Sequence, residues 1–128
     1  MTTSLNDFHV LVVDDSNTIR ASAQVFLKQV GCKVTLAETG YDALAVMEEA
    51  KPQLIFLDIL MPRLDGYQTC ALIKSNPEYR DIPIVMLSSK DGLFDQARGQ
   101  LAGANEYMTK PFARDDLLQV VNNYASKK

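Results

Sequence analysis

The chain is poor in the residues from which several functional classes are built. It has two cysteines and one histidine in 128 residues. Cys32 and Cys70 are too few and too far apart for a zinc site or a disulfide framework. Without an export signal they read as reduced, buried thiols of a cytoplasmic protein. His9 has no second histidine near it and reads as an ordinary surface side chain. Charge of one sign is lacking as well. Thirteen Lys and Arg stand against sixteen Asp and Glu, a net charge of −3, and no basic run supplies a face for nucleic acid. The longest apolar run, Ala43 to Met47, has five residues, where a membrane-spanning helix needs about 20, so no membrane insertion is expected. The opening Met-Thr-Thr-Ser-Leu-Asn-Asp carries neither a cationic region nor an apolar stretch of signal-peptide length. No linker or repeat divides the chain. What is present is globular: 47% hydrophobic and 23% charged residues, read as one domain over 1–128 that buries its core without disulfides or a structural metal.

Short apolar runs alternate with helical patterns. The runs are Val10-Leu11-Val12-Val13, Val34-Thr35-Leu36-Ala37, Leu54-Ile55-Phe56-Leu57, Ile84-Val85-Met86-Leu87 and Glu106-Tyr107-Met108-Thr109. The first four are near-continuously apolar, as strands buried on both faces should be. The fifth is more polar and reads as an edge. Between them, Ser16–Val30 places Ile19, Ala23, Phe26, Leu27 and Val30 on one helical stripe, closed by Gly31. Tyr41–Ala50 aligns Leu44 with Met47, and Gly66–Ser75 aligns Thr69, Cys70 and Ile73. Gly92–Ala102, interrupted by Gly99, is the least helix-favouring of the set. Arg114–Tyr124 aligns Leu117, Leu118 and Val121, with Asp115 and Asp116 in its first turn. Five βα repeats with apolar strands predict an α/β fold, a flavodoxin-like doubly wound parallel sheet between two layers of helices. In such sheets ligands bind beyond the carboxyl ends of the strands.

Strand one is followed by Asp14 and Asp15, strand three by Asp58, strand four by Ser88 and Ser89, and strand five by Lys110, Pro111 and Phe112. Three carboxylates, a hydroxyl and an ammonium therefore meet at one edge. Two like charges near 4 Å repel by roughly 4 kcal/mol at an effective dielectric of 20. Either a pKa rises or a cation sits among them. Oxygen-only ligands point to Mg²⁺. A carboxylate is also a nucleophile towards phosphorus, with Lys110 and Ser88 placed to hold phosphoryl oxygens.

These residues carry a resemblance. Leu11-Val12-Val13-Asp14-Asp15-Ser16, Leu57-Asp58-Ile59-Leu60-Met61-Pro62-Arg63-Leu64-Asp65-Gly66, Met86-Leu87-Ser88-Ser89 and Lys110-Pro111-Phe112 resemble, in order and spacing, the CheY-like receiver domain of two-component response regulators. The resemblance covers essentially the whole chain. It implies the strand order 2-1-3-4-5. It also implies Asp58 as phosphoacceptor and Asp14, Asp15, Asp58 and the backbone carbonyl of Leu60 as Mg²⁺ ligands. Ser88 and Lys110 would bind the phosphoryl group, Ser88 and Tyr107 would act as switch residues, and a cis Lys110–Pro111 bond is expected. In this family the residues two after the acceptor and two after the switch hydroxyl, here Leu60 and Lys90, modulate phosphoryl lifetime. An apolar Leu60 would exclude the attacking water and lengthen it.

The stretches 61–74 and 86–95 are similar to single-domain regulators of chemosensory systems that control type IV pili and twitching. That likeness implies a histidine kinase of the CheA type as phosphoryl donor. It further implies an effector protein of the pilus motor or its regulation as output partner, no output domain on the same chain, and a monomer or a weak phosphorylation-dependent dimer. The chain would then be a signalling protein and not an enzyme in its own right, apart from assisting its own phosphotransfer and autodephosphorylation. Three rival readings are open to tests. An aspartyl-phosphate phosphatase would carry a second Asp where Leu60 stands. A flavodoxin-like cofactor module would need a hydroxyl- and glycine-rich loop where Asp14-Asp15 begin. A degenerate scaffold would not need the full Asp14, Asp15, Asp58, Ser88 and Lys110 set.

Overall fold

The computed structural model describes residues 5–61, 63–89, 98, 100 and 102–126. Five strands, β1 (His9–Val13), β2 (Lys33–Ala37), β3 (Leu54–Asp58), β4 (Ile84–Ser88) and β5 (Glu106–Thr109), form one parallel sheet in the order β2-β1-β3-β4-β5. Four helices are described over their whole length: α1 (Asn17–Gln29), α2 (Gly40–Glu49), α3 (Gly66–Ser75) and α4 (Arg114–Ala125). The expected flavodoxin-like three-layer fold is the observed one.

Alternation along each strand divides the core in two. Leu11, Val13, Ile55, Leu57, Ile84 and Met86 pack on the face covered by α2 and α3, around Met47, Cys70 and Ile73. Val10, Val12, Leu54, Phe56, Val85 and Leu87 pack on the opposite face around Ala23 and Leu27 of α1 and Leu117 and Val121 of α4. Helix boundaries follow from their caps. The Ser16 hydroxyl accepts the Ile19 N–H, the Thr39 hydroxyl the Asp42 N–H, and Asp65 forms a reciprocal capping box with Gln68. Gly31 closes α1 at φ +91°, the left-handed conformation a helix terminator needs.

Two expectations change. β2 is not buried on both faces: Lys33 is exposed, Val34 to Leu36 are half-buried, and only Ala37 is buried. It pairs with β1 alone and so forms the second edge, opposite β5. His9 is not a surface side chain. It is buried at the start of β1, with Nε2 2.6 Å from Thr35 Oγ1 and its N–H donated to Gln53 Oε1 at 3.0 Å. The ring lies between the Thr35 hydroxyl and the Lys51 carbonyl, 3.4 Å from the latter, and burial lowers its pKa. Both cysteines are buried, and burial pushes each thiol up to about 11. The expected helix over 92–102 lies outside the described residues except Arg98, Gln100 and Ala102, which are helical. Lys90 also lies outside them. No helix among the described residues is long and apolar enough to cross a membrane.

Candidate functional site

The sheet itself places the acidic residues. β1 and β3 pair with Val10 opposite Leu54 and Val13 opposite Leu57. One step further, that register sets Asp14 against Asp58 on neighbouring strands, about 4.8 Å apart. The chain runs from β1 to β2 on one side and reaches β3 on the other, so this is the switch point at which doubly wound sheets open a ligand crevice. Carboxylate oxygens of Asp14, Asp15 and Asp58 all lie within 4.8 Å of one another. Asp14 is 0% and Asp58 2% exposed, whereas Asp15 faces solvent.

Lys110 follows β5, two strands from β3 and roughly 10 Å away, a span that suits a long flexible stem. Its Nζ donates to Asp14 Oδ2 and Asp58 Oδ1, each at 3.0 Å. Its own N–H donates to the Ser88 carbonyl at 2.6 Å, which ties the end of β5 to the end of β4. The Lys110–Pro111 bond is cis.

Burial, then the neighbouring Asp14 carboxylate, pushes the Asp58 pKa up to about 6, against the opposing pull of Lys110. Burial on its own would lower Lys110, but its hydrogen bonds to Asp14 and Asp58 outweigh that and raise it. Three carboxylates against one ammonium leave two negative charges in the cluster. An oxygen-only donor set carrying that excess charge fits a hard divalent cation.

The family follows from the chain as a whole. Residues 10–122 match the model of the response regulator receiver domain. The chain belongs to that family. This receiver domain is 55% identical over 112 residues to Protein PilG of Pseudomonas aeruginosa, covering 88% of this chain and 83% of that one. It is 38% identical over 109 residues to Response regulator MprA of Mycobacterium sp. (strain KMS), covering 85% of this chain but only 46% of the relative. The solved structure of chemotaxis protein CheY4 of Vibrio cholerae superposes with a TM-score of 0.88 at 30% identity, covering 92% of this chain and 98% of that one.

Within the receiver domain, Ser88 ends β4 and is buried, and Ser89 is exposed. Tyr107 lies on the edge strand β5, half-buried, and packs against the core cluster under α2 and α3. Leu60 projects at the rim, 68% exposed, while its N–H donates to Asp58 Oδ1 at 3.3 Å. Two residues shape the site through contacts that the sequence does not show. Gly66 lets α3 begin against the Asp58 peptide: a Cβ there would stand 2.2 Å from the Asp58 carbonyl oxygen. Arg20 donates from Nη1 to the Asp14 carbonyl at 2.6 Å. A glycine directly after Asp65 is the one sequence signal for the first, and a helix start at Ser16, four residues before Arg20, for the second.

Proposed function

We propose that this receiver domain is a phosphorylation-activated switch whose acceptor is Asp58. The observation that carries the reading is the meeting of Asp14, Asp15 and Asp58 within 4.8 Å, with Lys110 3.0 Å from two of them, at the switch point of the sheet. A phosphohistidine on a partner kinase presents its phosphoryl group to Asp58. An Asp58 oxygen–phosphorus bond forms as the phosphorus–nitrogen bond breaks, and the imidazole leaves with the electron pair. Lys110 holds a phosphoryl oxygen as a point charge, and the Ser88 hydroxyl donates to another. Asp14, Asp15, Asp58 and the Leu60 carbonyl would hold Mg²⁺, which when bound neutralises the acceptor and the incoming oxygens.

The phosphoryl group adds about −1.5 to −2 charge at pH 7. Ser88 is drawn towards it, and Tyr107 turns into the space released. The surface of β5 and α4 changes, including a groove of about 490 Å³ bordered by Tyr107, Phe112 and Val120. Output passes through this face to an effector protein, with the domain acting as a monomer or a weak phosphorylation-dependent dimer. The 55% identity to Protein PilG, with the resemblance to single-domain regulators of pilus-controlling chemosensory systems, supports a CheA-type histidine kinase as donor and a pilus motor or regulatory component as effector. The apolar Leu60 at the rim offers no hydrogen bond to an attacking water, and the phosphorylated state is therefore long-lived.

The test is a phosphate-affinity gel of wild type and Asp58→Ala incubated with acetyl phosphate and Mg²⁺, with an EDTA control. The expected result is a shifted band that needs both Asp58 and Mg²⁺. No shift, with acetyl phosphate or with candidate kinases, overturns the acceptor reading. In a chase after removal of acetyl phosphate, decay within seconds overturns the long lifetime.

A further inference from the structure

Every polar group of Asp14 is engaged. Its N–H donates to the Ala37 carbonyl at 3.1 Å. Its Oδ1 accepts from the Ser16 N–H at 2.9 Å and its Oδ2 from Lys110 at 3.0 Å. Its carbonyl accepts from Arg20 Nη1 at 2.6 Å. That carbonyl belongs to the peptide joining Asp14 to Asp15, so its direction sets the plane of the peptide and the point from which Asp15 departs. Asp14 is wholly buried and held by its neighbours, whereas Asp15 is exposed and is not fixed by packing. Its carboxylate is in hydrogen-bonding contact with that of Asp58, and the backbone that carries Asp15 sets whether it can reach there.

Arg20 is built for this contact. It lies one turn into α1, its N–H donates to the Ser16 carbonyl at 3.1 Å, and its side chain folds back over the helix start. The second guanidinium nitrogen donates to Asn17 Oδ1, which anchors the planar fork while Nη1 reaches the carbonyl. Arg20 borders a cleft that also contains Glu38 and Asp42, yet among the described residues it forms no ion pair with a carboxylate. Its geometry serves main-chain placement and not charge pairing.

We infer that Arg20 is a positioning residue for the cation site: by clamping the Asp14 carbonyl it holds the Asp14–Asp15 peptide so that the Asp15 carboxylate stays with those of Asp14 and Asp58. The inference rests on the proposed Mg²⁺ site. Its sign separates it from a charge effect. A guanidinium close to a divalent cation repels it, so a purely electrostatic Arg20 would weaken binding, and its removal would tighten it. A positioning Arg20 strengthens binding, and its removal loosens it even though no ligand is lost. Groups that orient metal ligands from behind are worth on the order of tenfold to a hundredfold in metal affinity.

The experiment is calorimetric titration of Mg²⁺ into the full chain at pH 7.5 for wild type, Arg20→Gln, Arg20→Lys and Asn17→Ala, with the thermal midpoint of each measured without Mg²⁺. The expected result is at least tenfold weaker binding for Arg20→Gln and for Arg20→Lys, which keeps the charge but loses the fork. Asn17→Ala, which removes the anchor alone, falls in the same direction by less. Should Arg20→Gln not fold, Arg20→Lys and Asn17→Ala decide the matter. Wild-type affinity in Arg20→Lys, or tighter binding in Arg20→Gln, overturns the inference while leaving the metal site intact. A wild type that binds no Mg²⁺ overturns the metal reading, and the Arg20 inference with it.

Discussion

Asp58 carries a cost in the resting protein. Its carboxylate is buried beside that of Asp14, and Lys110 relieves only part of the repulsion. The folded-state pKa of about 6 lies above the ordinary 3.8, so the native state binds this proton more tightly than the unfolded chain. The cost is absent well below pH 4, grows between pH 4 and 6, and is fully present above pH 6. A shift of that size corresponds to about 2 to 3 kcal/mol. Asp58→Asn removes the charge while its amide oxygen still accepts from Lys110 and the Leu60 N–H. In urea denaturation without Mg²⁺ it should therefore be more stable than wild type by about 2 kcal/mol at pH 7.5, with the difference closing towards pH 4. Equal stability at both pH values would show that the Asp58 carboxylate is not strained. The same crowding makes the site receptive to a cation.

At the scale of elements, the link between Asp58 and the rest of the molecule is the start of α3. Gly66 N–H donates to the Ile59 carbonyl at 2.8 Å, and its missing side chain lets the helix abut the Asp58 peptide. A Cβ at position 66 would also stand 2.7 Å from the Ile59 Cα, and backbone on both sides cannot yield as a flexible side chain would. Gly66→Ala should cost about 3 kcal/mol by overpacking and displace the loop that carries Asp58, seen as a lower urea midpoint together with slower labelling by acetyl phosphate. A change in neither would mean that the loop accommodates the methyl group. The sequence shows the glycine but not this contact, which exists only once β3 and α3 have packed. The same limit explains the other differences. Val34 to Ala37 has the composition of a central strand, and only the sheet order makes it an edge. His9 is polar and solitary in sequence, yet it is buried against partners distant in the chain, Thr35 and Lys51. The carboxylates, by contrast, are legible in sequence, because apolar strands that end in Asp14 and Asp58 specify the edge at which the charges appear. Arg20 is not, because its partner is a backbone carbonyl.

For the molecule as a whole, the site is a point where binding and folding are coupled. Asp14 follows β1 and Asp58 ends β3, the two strands flanking the switch point, Lys110 follows the edge strand β5, and all three meet only in the folded chain. A cation held there binds the native state and not the unfolded one, and stabilises by mass action. At a Mg²⁺ concentration a hundredfold above Kd the gain is about 2.7 kcal/mol, or roughly 10 °C in thermal midpoint for a domain of this size. Asp15→Asn separates this effect from ordinary packing. Asp15 is exposed, so solvent screens its repulsion with Asp14 and Asp58, and its replacement should leave stability without Mg²⁺ equal to wild type or up to about 1 kcal/mol higher, yet remove most of the Mg²⁺-dependent rise. The rise in the wild type should also shrink below pH 6, where protons compete for Asp58. Differential scanning calorimetry of both proteins, with Mg²⁺ and with EDTA at pH 7.5 and pH 5, reads all of these quantities. An equal rise in wild type and Asp15→Asn would move the cation away from the carboxylate cluster. No rise in either would count against a cation at the carboxylate cluster, leaving Lys110 as the ion-paired counter-charge seen there among the described residues.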